Sequence, residues 1–218
     1  MNSHAFIFDM DGVLIDSNPY HKIALNQFCA KHGHYLTDEQ LLNKVYGRTN
    51  KEWLTNLFGP LPEATIHAYA EEKEALYRQL FEHDIKPVKG LLPFLDLLDK
   101  CNIARAIGTS APQSNVIFTL SKTHTEKYFS TILNDSDIKH SKPNPEIYIK
   151  AAERLGFPSA NCIVFEDSLS GVKAGKASGA KVVGITTTHT KEELFETDFV
   201  IDDFVGLDPL ALIKELFG

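Results

Sequence analysis

Ala5-Phe6-Ile7-Phe8-Asp9-Met10-Asp11-Gly12 is the stretch on which the fold reading turns. Four apolar residues in a row predict a strand buried on both faces, the habit of a parallel sheet. The run stops at two acids and a glycine, which places polar chemistry at the carboxyl end of the strand. The same device recurs along the chain. Residues 103–107 run into Gly108-Thr109-Ser110, 162–165 into Glu166-Asp167-Ser168, 182–185 into Thr186-Thr187-Thr188, and 199–201 into Asp202-Asp203. Between these runs, 91–100, 145–155 and 168–178 carry apolar residues at helical spacing, the last two stopped by Gly156 and Gly179. Strands alternating with helices predict an α/β fold, a doubly wound parallel sheet of the Rossmann-like kind. The ligand crevice of such a sheet lies beyond the carboxyl ends of its strands, where the polar clusters sit.

Residues 16–84 break this alternation. Ser17 or Asn18 can cap a helix with Pro19 in its first turn and Gly33 at its end. The stretches 36–45, 51–58 and 63–81 also read as helical. We expect two domains: an α/β core formed by 1–15 and 85–218, and an inserted α-helical domain over 16–84. Hinges are expected near 15–18 and 84–90.

Composition narrows the function. The 218 residues carry a net charge of −7, which disfavours nucleic acid, because phosphate backbones need basic surface. There is no polybasic run for an anionic membrane and no apolar stretch of spanning length. Cys29, Cys101 and Cys162 lack metal-like spacing and read as buried apolar residues in a reduced compartment. Acids at the end of the first apolar run argue against a signal peptide. The expectation is a cytoplasmic, monomeric protein with a small-molecule partner.

Asp9 and Asp11, two residues apart at a strand end, can both turn toward one site. Such carboxylates repel unless a cation or a shared proton relieves them. A hard divalent cation is the natural solution, and magnesium suits phosphate chemistry. Asp9 can then act as a nucleophile toward phosphorus and Asp11 as acid and base. Thr109 offers a hydroxyl, and the amides after it, beginning at Ser110, offer donors for phosphate oxygens. Lys142 is held between Ser141 and Pro143 in a segment stiffened by a second proline, Pro145. Its ammonium can offset charge on nucleophile and phosphoryl group. Glu166 and Asp167 can complete a magnesium shell. Each feature taken alone has a plainer reading: solvated acids before a turn, a helix cap at Thr109-Ser110, a surface lysine, a capping cluster at Glu166-Asp167-Ser168. Their order, with three of the four closing a strand, favours the chemical reading.

The segments 9–17, Thr109, Lys142-Pro143 and Glu166-Asp167-Ser168 resemble the four motifs of the haloacid dehalogenase-like superfamily, and the resemblance spans nearly the whole chain. The helical insert is similar to the cap of its beta-phosphoglucomutase-like branch. The resemblance implies an aspartyl-phosphate on Asp9 and general acid–base work by Asp11. It implies magnesium held by Asp9, the Asp11 carbonyl and Asp167, with Glu166 as a further ligand, and phosphoryl binding by Thr109 and Lys142. True dehalogenases usually lack an acid at the position of Asp11, which disfavours carbon–halogen chemistry.

The same resemblance places the leaving group against the cap, with His21, Gly47, Arg48, Asn50 and Lys73 as candidate contacts. His21 matches a histidine that couples substrate binding to cap closure, and Lys73 matches a lysine. On residues alone, His21 reads equally as a core or helix-surface histidine, and Lys73, amid glutamates, as part of a solvated face. Trp53 is expected to pack the cap interior. In beta-phosphoglucomutases an arginine three residues after the cap-loop glycine grips the non-reacting phosphate. Here Asn50 stands there, and the arginine, Arg48, comes two residues earlier. A mutase needs that second phosphate site and a phosphatase does not. The expectation is a phosphatase for a small phosphorylated metabolite such as a sugar phosphate, ahead of a phosphomutase. A non-catalytic phosphometabolite-binding regulator would not need both Asp9 and Asp11, and no sequence feature supports a partner-binding scaffold.

Overall fold

The computed structural model describes residues 3–45 and 50–218. The chain divides into two compact units, one of residues 1–16 with 85–218 and one of residues 17–84.

In the first unit, β1 (Ala5–Phe8) is buried along its whole length and pairs in parallel on both sides, with β2 (Ala104–Gly108) and with β4 (Cys162–Glu166). The sheet is extended by β3 (Ile132–Leu133), β5 (Lys181–Ile185) and β6 (Phe199–Ile201), in the order β3-β2-β1-β4-β5-β6. Every strand pair is parallel, which the uninterrupted apolar runs predict.

Alternation along β1 divides its side chains between two cores. Phe6 and Phe8 join Phe94, Phe165 and Phe204 on one face, where the Phe8 and Phe165 rings stack 4.8 Å apart. Helix α5 (Leu91–Lys100) lends Leu91, Phe94, Leu95 and Leu98 to that core, and α9 (Pro209–Phe217) lends Leu212 and Leu216. Ala5 and Ile7 pack on the other face with α7 (Glu146–Leu155) and α8 (Leu169–Ala177).

The register determines what lies at the carboxyl ends. Phe8 is level with Ile107 on one side and Phe165 on the other. Asp9, Gly108-Thr109 and Glu166-Asp167 therefore emerge together. The chain builds β2 and β3 on one side of β1 and then crosses to β4 on the other, so these residues lie at a topological switch point.

The second unit is helical among its described residues: α1 (Asn18–Lys31), α2 (Asp38–Lys44), α3 (Asn50–Phe58) and α4 (Glu63–Phe81). Its own core contains Leu25, Phe28, Leu41, Trp53, Leu54 and Ile66. Trp53 is buried there, edge-on to Phe28 at 5.8 Å. Two local expectations change. Ser17 occupies the position before α1, but its side chain makes no capping bond to the helix. The second helix starts at 38 rather than 36, because Thr37 and Gln40 form a reciprocal capping box there. Cys29 and Cys162 are buried, whereas Cys101 is half-buried, and none of the three is in a disulfide among the described residues. Among the described residues no helix is long and apolar enough to cross a membrane.

Candidate active site

Asp9 follows β1 directly and is tied to β4 by its own backbone, whose N–H donates to the Phe165 carbonyl at 3.0 Å. The residue is only 8% exposed. Lys142 reaches it from the loop between β3 and α7. The ammonium donates to Asp9 Oδ1 at 2.9 Å and to Glu166 Oε1 at 2.7 Å. It also lies 4.8 Å from the centre of the Tyr148 ring, whose hydroxyl donates to the same Glu166 oxygen at 2.6 Å. Glu146, at the start of α7, secures the loop by accepting the backbone N–H groups of Lys139 and His140, both at 3.0 Å.

Glu166 is fully buried. Its second oxygen accepts from the Asp167 and Ser168 backbone N–H groups and from the Ser168 hydroxyl at 3.0–3.1 Å. The absence of a side chain at Gly171 makes room for it, since a Cβ there would stand 1.7 Å from Oε1. With both oxygens engaged, Glu166 must exchange one of these bonds before it can ligate a cation.

Burial and charge pull these groups in different directions. Burial, with the nearby Glu166 charge adding to it, pushes Asp9 from 3.8 to about 7 despite the opposing pull of Lys142. Burial, then the Glu166 and Asp9 charges, raise Asp167 well above the carboxylate range. Burial also works against the Glu166 anion, but Lys142 and the hydrogen bonds overcome it and hold its pKa low. Burial disfavours the Lys142 cation as well, but Asp9 and Glu166 reverse this and keep it above the ordinary lysine value.

Asp9, Glu166 and Asp167 offer carboxylate oxygens within 4.8 Å of one another, all buried. One ammonium does not balance three acids. The set therefore fits a hard divalent cation with oxygen ligands.

The turn after Asp9 is equally constrained. Gly12 has φ +76°, and its N–H donates to the Ile15 carbonyl at 2.7 Å. A Cβ at Gly12 would lie 2.0 Å from Asp167 Oδ2, so residue 12 must be glycine for both reasons. Asp11 beside it is partly exposed. Thr109 is buried at the end of β2; its N–H donates to the Leu133 carbonyl at 3.0 Å and its hydroxyl accepts from the Ala111 N–H at 3.1 Å. Ser110 is exposed next to it.

Within the helical unit, His21 stacks on Tyr77 at 3.7 Å between ring centres, and Lys73 joins His21 Nδ1 at 2.9 Å. Lys73 also pairs with buried Glu74 at 2.9 Å, and only 12% of its side chain is exposed. It is thus not part of a solvated face. Asn50 accepts the Trp53 indole N–H at 2.9 Å. Gly47 and Arg48 lie outside the described residues.

Comparison with known proteins decides the family. The sequence profile of the haloacid dehalogenase-like hydrolases matches residues 6–185. The chain belongs to this family. A phosphorylated carbohydrates phosphatase from Thermotoga maritima is 32% identical over 176 residues, 80% of this chain and 81% of that one. A hydrolase of the same family (family IA, variant 3) from Entamoeba histolytica superposes with a TM-score of 0.90 at 31% identity, covering 99% of this chain and all of the other. A beta-phosphoglucomutase from Clostridium difficile superposes at 0.85 with 25% identity, covering 99% of this chain and 97% of that one. The protein is thus an enzyme of the haloacid dehalogenase-like hydrolase family.

In this family member the acid cluster is supported by residues that motif reading did not single out. Tyr148 looks like an ordinary apolar position of α7, yet a buried tyrosine hydroxyl calls for a partner. Gly171, a glycine within the first turn of α8, is a visible signal of close approach. Thr187 and Thr188 close β5 and were legible only as a polar strand end. The Thr187 hydroxyl donates to the Gly12 carbonyl and the Thr188 hydroxyl to Asp167 Oδ2.

Proposed function

We propose that this enzyme is a magnesium-dependent phosphatase that hydrolyses a phosphorylated carbohydrate through a phosphorylated Asp9. The observation that carries the reading is the pairing of Asp9 with Lys142 inside a cluster of three buried carboxylates. A nucleophile so placed faces an anionic substrate only if its own charge is offset, which Lys142 does in part. The Thermotoga maritima relative, named as a phosphorylated carbohydrates phosphatase, supports the substrate class.

In this scheme Asp9, Asp167 and the Asp11 carbonyl would hold magnesium, and Glu166 would join them only on exchanging one of its present hydrogen bonds. The cation supplies charge neutralisation between carboxylate and phosphate. An Asp9 oxygen bonds to phosphorus as the ester P–O bond breaks, and Asp11 delivers its proton to the departing sugar oxygen. Asp11 then takes a proton from water as that water attacks phosphorus. The Asp9–phosphorus bond breaks, inorganic phosphate leaves, and both aspartates return to their starting states. Thr109 with the amide of Ser110, and Lys142, bind the phosphoryl oxygens.

A phosphomutase, in which a sugar hydroxyl replaces the water, is the second reading, favoured by the likeness to a beta-phosphoglucomutase. Asn50, at the position of the phosphate-gripping arginine, argues against it.

A panel of sugar phosphates assayed with magnesium tests both. Phosphate release is expected, abolished by EDTA, restored by magnesium and reduced at least about a thousandfold in Asp9→Asn. Unchanged hydrolysis in Asp9→Asn would refute the assignment. Isomerisation of beta-glucose 1-phosphate that depends on a bisphosphate primer would install the mutase instead.

A further inference from the structure

The loop that leaves β5 touches both of the turns that build the acid cluster. Glu166, the last residue of β4, is level with Gly184 of β5. Three residues beyond Gly184, the Thr187 hydroxyl donates to the Gly12 carbonyl in the turn after Asp9 and Asp11. The next residue, Thr188, donates its hydroxyl to Asp167 Oδ2. That oxygen is also the atom nearest to where a Cβ of Gly12 would stand. Asp167 Oδ2 is therefore seated between the Gly12 backbone and the Thr188 hydroxyl.

A carboxylate with one oxygen fixed has its plane fixed, and so has a defined direction for the other oxygen. Partners of this kind orient metal ligands, and their loss typically weakens metal binding by about 10- to 100-fold. We infer that Thr188 is a positioning residue for the cation site, aiming Asp167 Oδ1 at the ion, while Thr187 ties the Asp9–Gly12 turn to the same loop. This inference rests on the magnesium reading proposed above and concerns the protein's affinity for the ion.

The test is manganese binding, followed by electron paramagnetic resonance on the full chain, with magnesium as competitor. The wild type is expected to bind one manganese ion that magnesium displaces. Thr188→Val keeps the shape and removes the hydroxyl. It is expected to raise the manganese dissociation constant about tenfold or more, with a Tm in EDTA close to that of the wild type. Thr188→Ser restores the hydroxyl and is expected to bind within about threefold of the wild type. If Thr188→Val does not fold, Thr188→Ala is read against Thr188→Ser in the same way. Wild-type affinity in the variant lacking the hydroxyl, with or without a lower Tm, would show the bond to be merely structural and overturn the inference. Failure of the wild type to bind manganese would sink the magnesium reading itself, and this inference with it.

Discussion

Asp9 is asked to be an anion in a place that disfavours anions. Burial pushes its carboxyl from 3.8 to about 7, and Asp167 is raised too, by the same burial and by its acidic neighbours. In the absence of a cation, the folded protein therefore holds protons that the unfolded chain has already released above about pH 4. Where the folded state binds more protons, stability falls as pH rises. The metal-free protein should accordingly lose stability between about pH 4 and about pH 7 through Asp9, and Asp167 adds a loss of the same sign as pH rises above about 4. A bound divalent cation displaces the protons and removes the penalty. The increase in Tm produced by saturating magnesium should thus be small at about pH 5 and larger at about pH 8. Differential scanning calorimetry with magnesium and with EDTA measures it, and an increment that shrinks as pH rises would contradict the assigned cluster. Lys142 does not confuse the experiment, since its two carboxylate partners keep it protonated throughout this range.

At the level of elements, β4 and α8 act as one device. The last residue of the strand, Glu166, turns its carboxylate under the first turn of the helix, where Gly171 leaves space for it. Gly171→Ala would place a methyl 1.7 Å from Oε1, closer than any real contact, so the carboxylate must move and take Lys142 and Tyr148 with it. The expected cost is about 1–3 kcal/mol of stability, read by urea denaturation, with phosphatase activity falling more than the folded fraction at assay temperature. Activity equal to wild type would mean that Glu166 does not place the lysine. Such elements were unequally visible in the sequence. β1 could be read because a strand buried on both faces needs no alternation, and Asp9, Thr109, Glu166 and Asp167 because each ends such a strand. β3 has two residues, too few for any period, and takes its place from pairing with β2. Helix α6 (Gln113–Thr123) begins without a side-chain cap and mixes polar residues into its buried face, among them Asn115 and Thr119. Helix α9 was legible in principle, since Asp208 caps it and Pro209 opens it. Tyr148 and Thr188 could not be recognised, because what makes them matter is the partner that folding brings from 18 and 21 residues away.

For the whole molecule, each unit has apolar clusters of its own. Among the described residues, none of the Leu25–Ile66 cluster belongs to either cluster that flanks the sheet. The two chain crossings between the units are already joined inside the first one: Ile15 bridges Pro87 in antiparallel fashion, and the Val88 N–H donates to the Leu14 carbonyl at 2.8 Å. The sheet unit thus holds its own chain ends together at the point of insertion, and closing them with a short loop costs little extra entropy. The acid cluster, Lys142 and the threonines of the β5 loop all lie in this unit. A chain in which residues 17–84 are replaced by a short Gly-Ser linker should therefore fold cooperatively, with a single thermal transition that magnesium raises. Circular dichroism and calorimetry report the fold, and the magnesium shift reports the cluster. A product with strand and helix signal but no cooperative transition would show that the sheet unit needs the helical one to pack. A cooperative product without a magnesium shift would show that the cation site is not complete in the sheet unit, contrary to the ligand set proposed here.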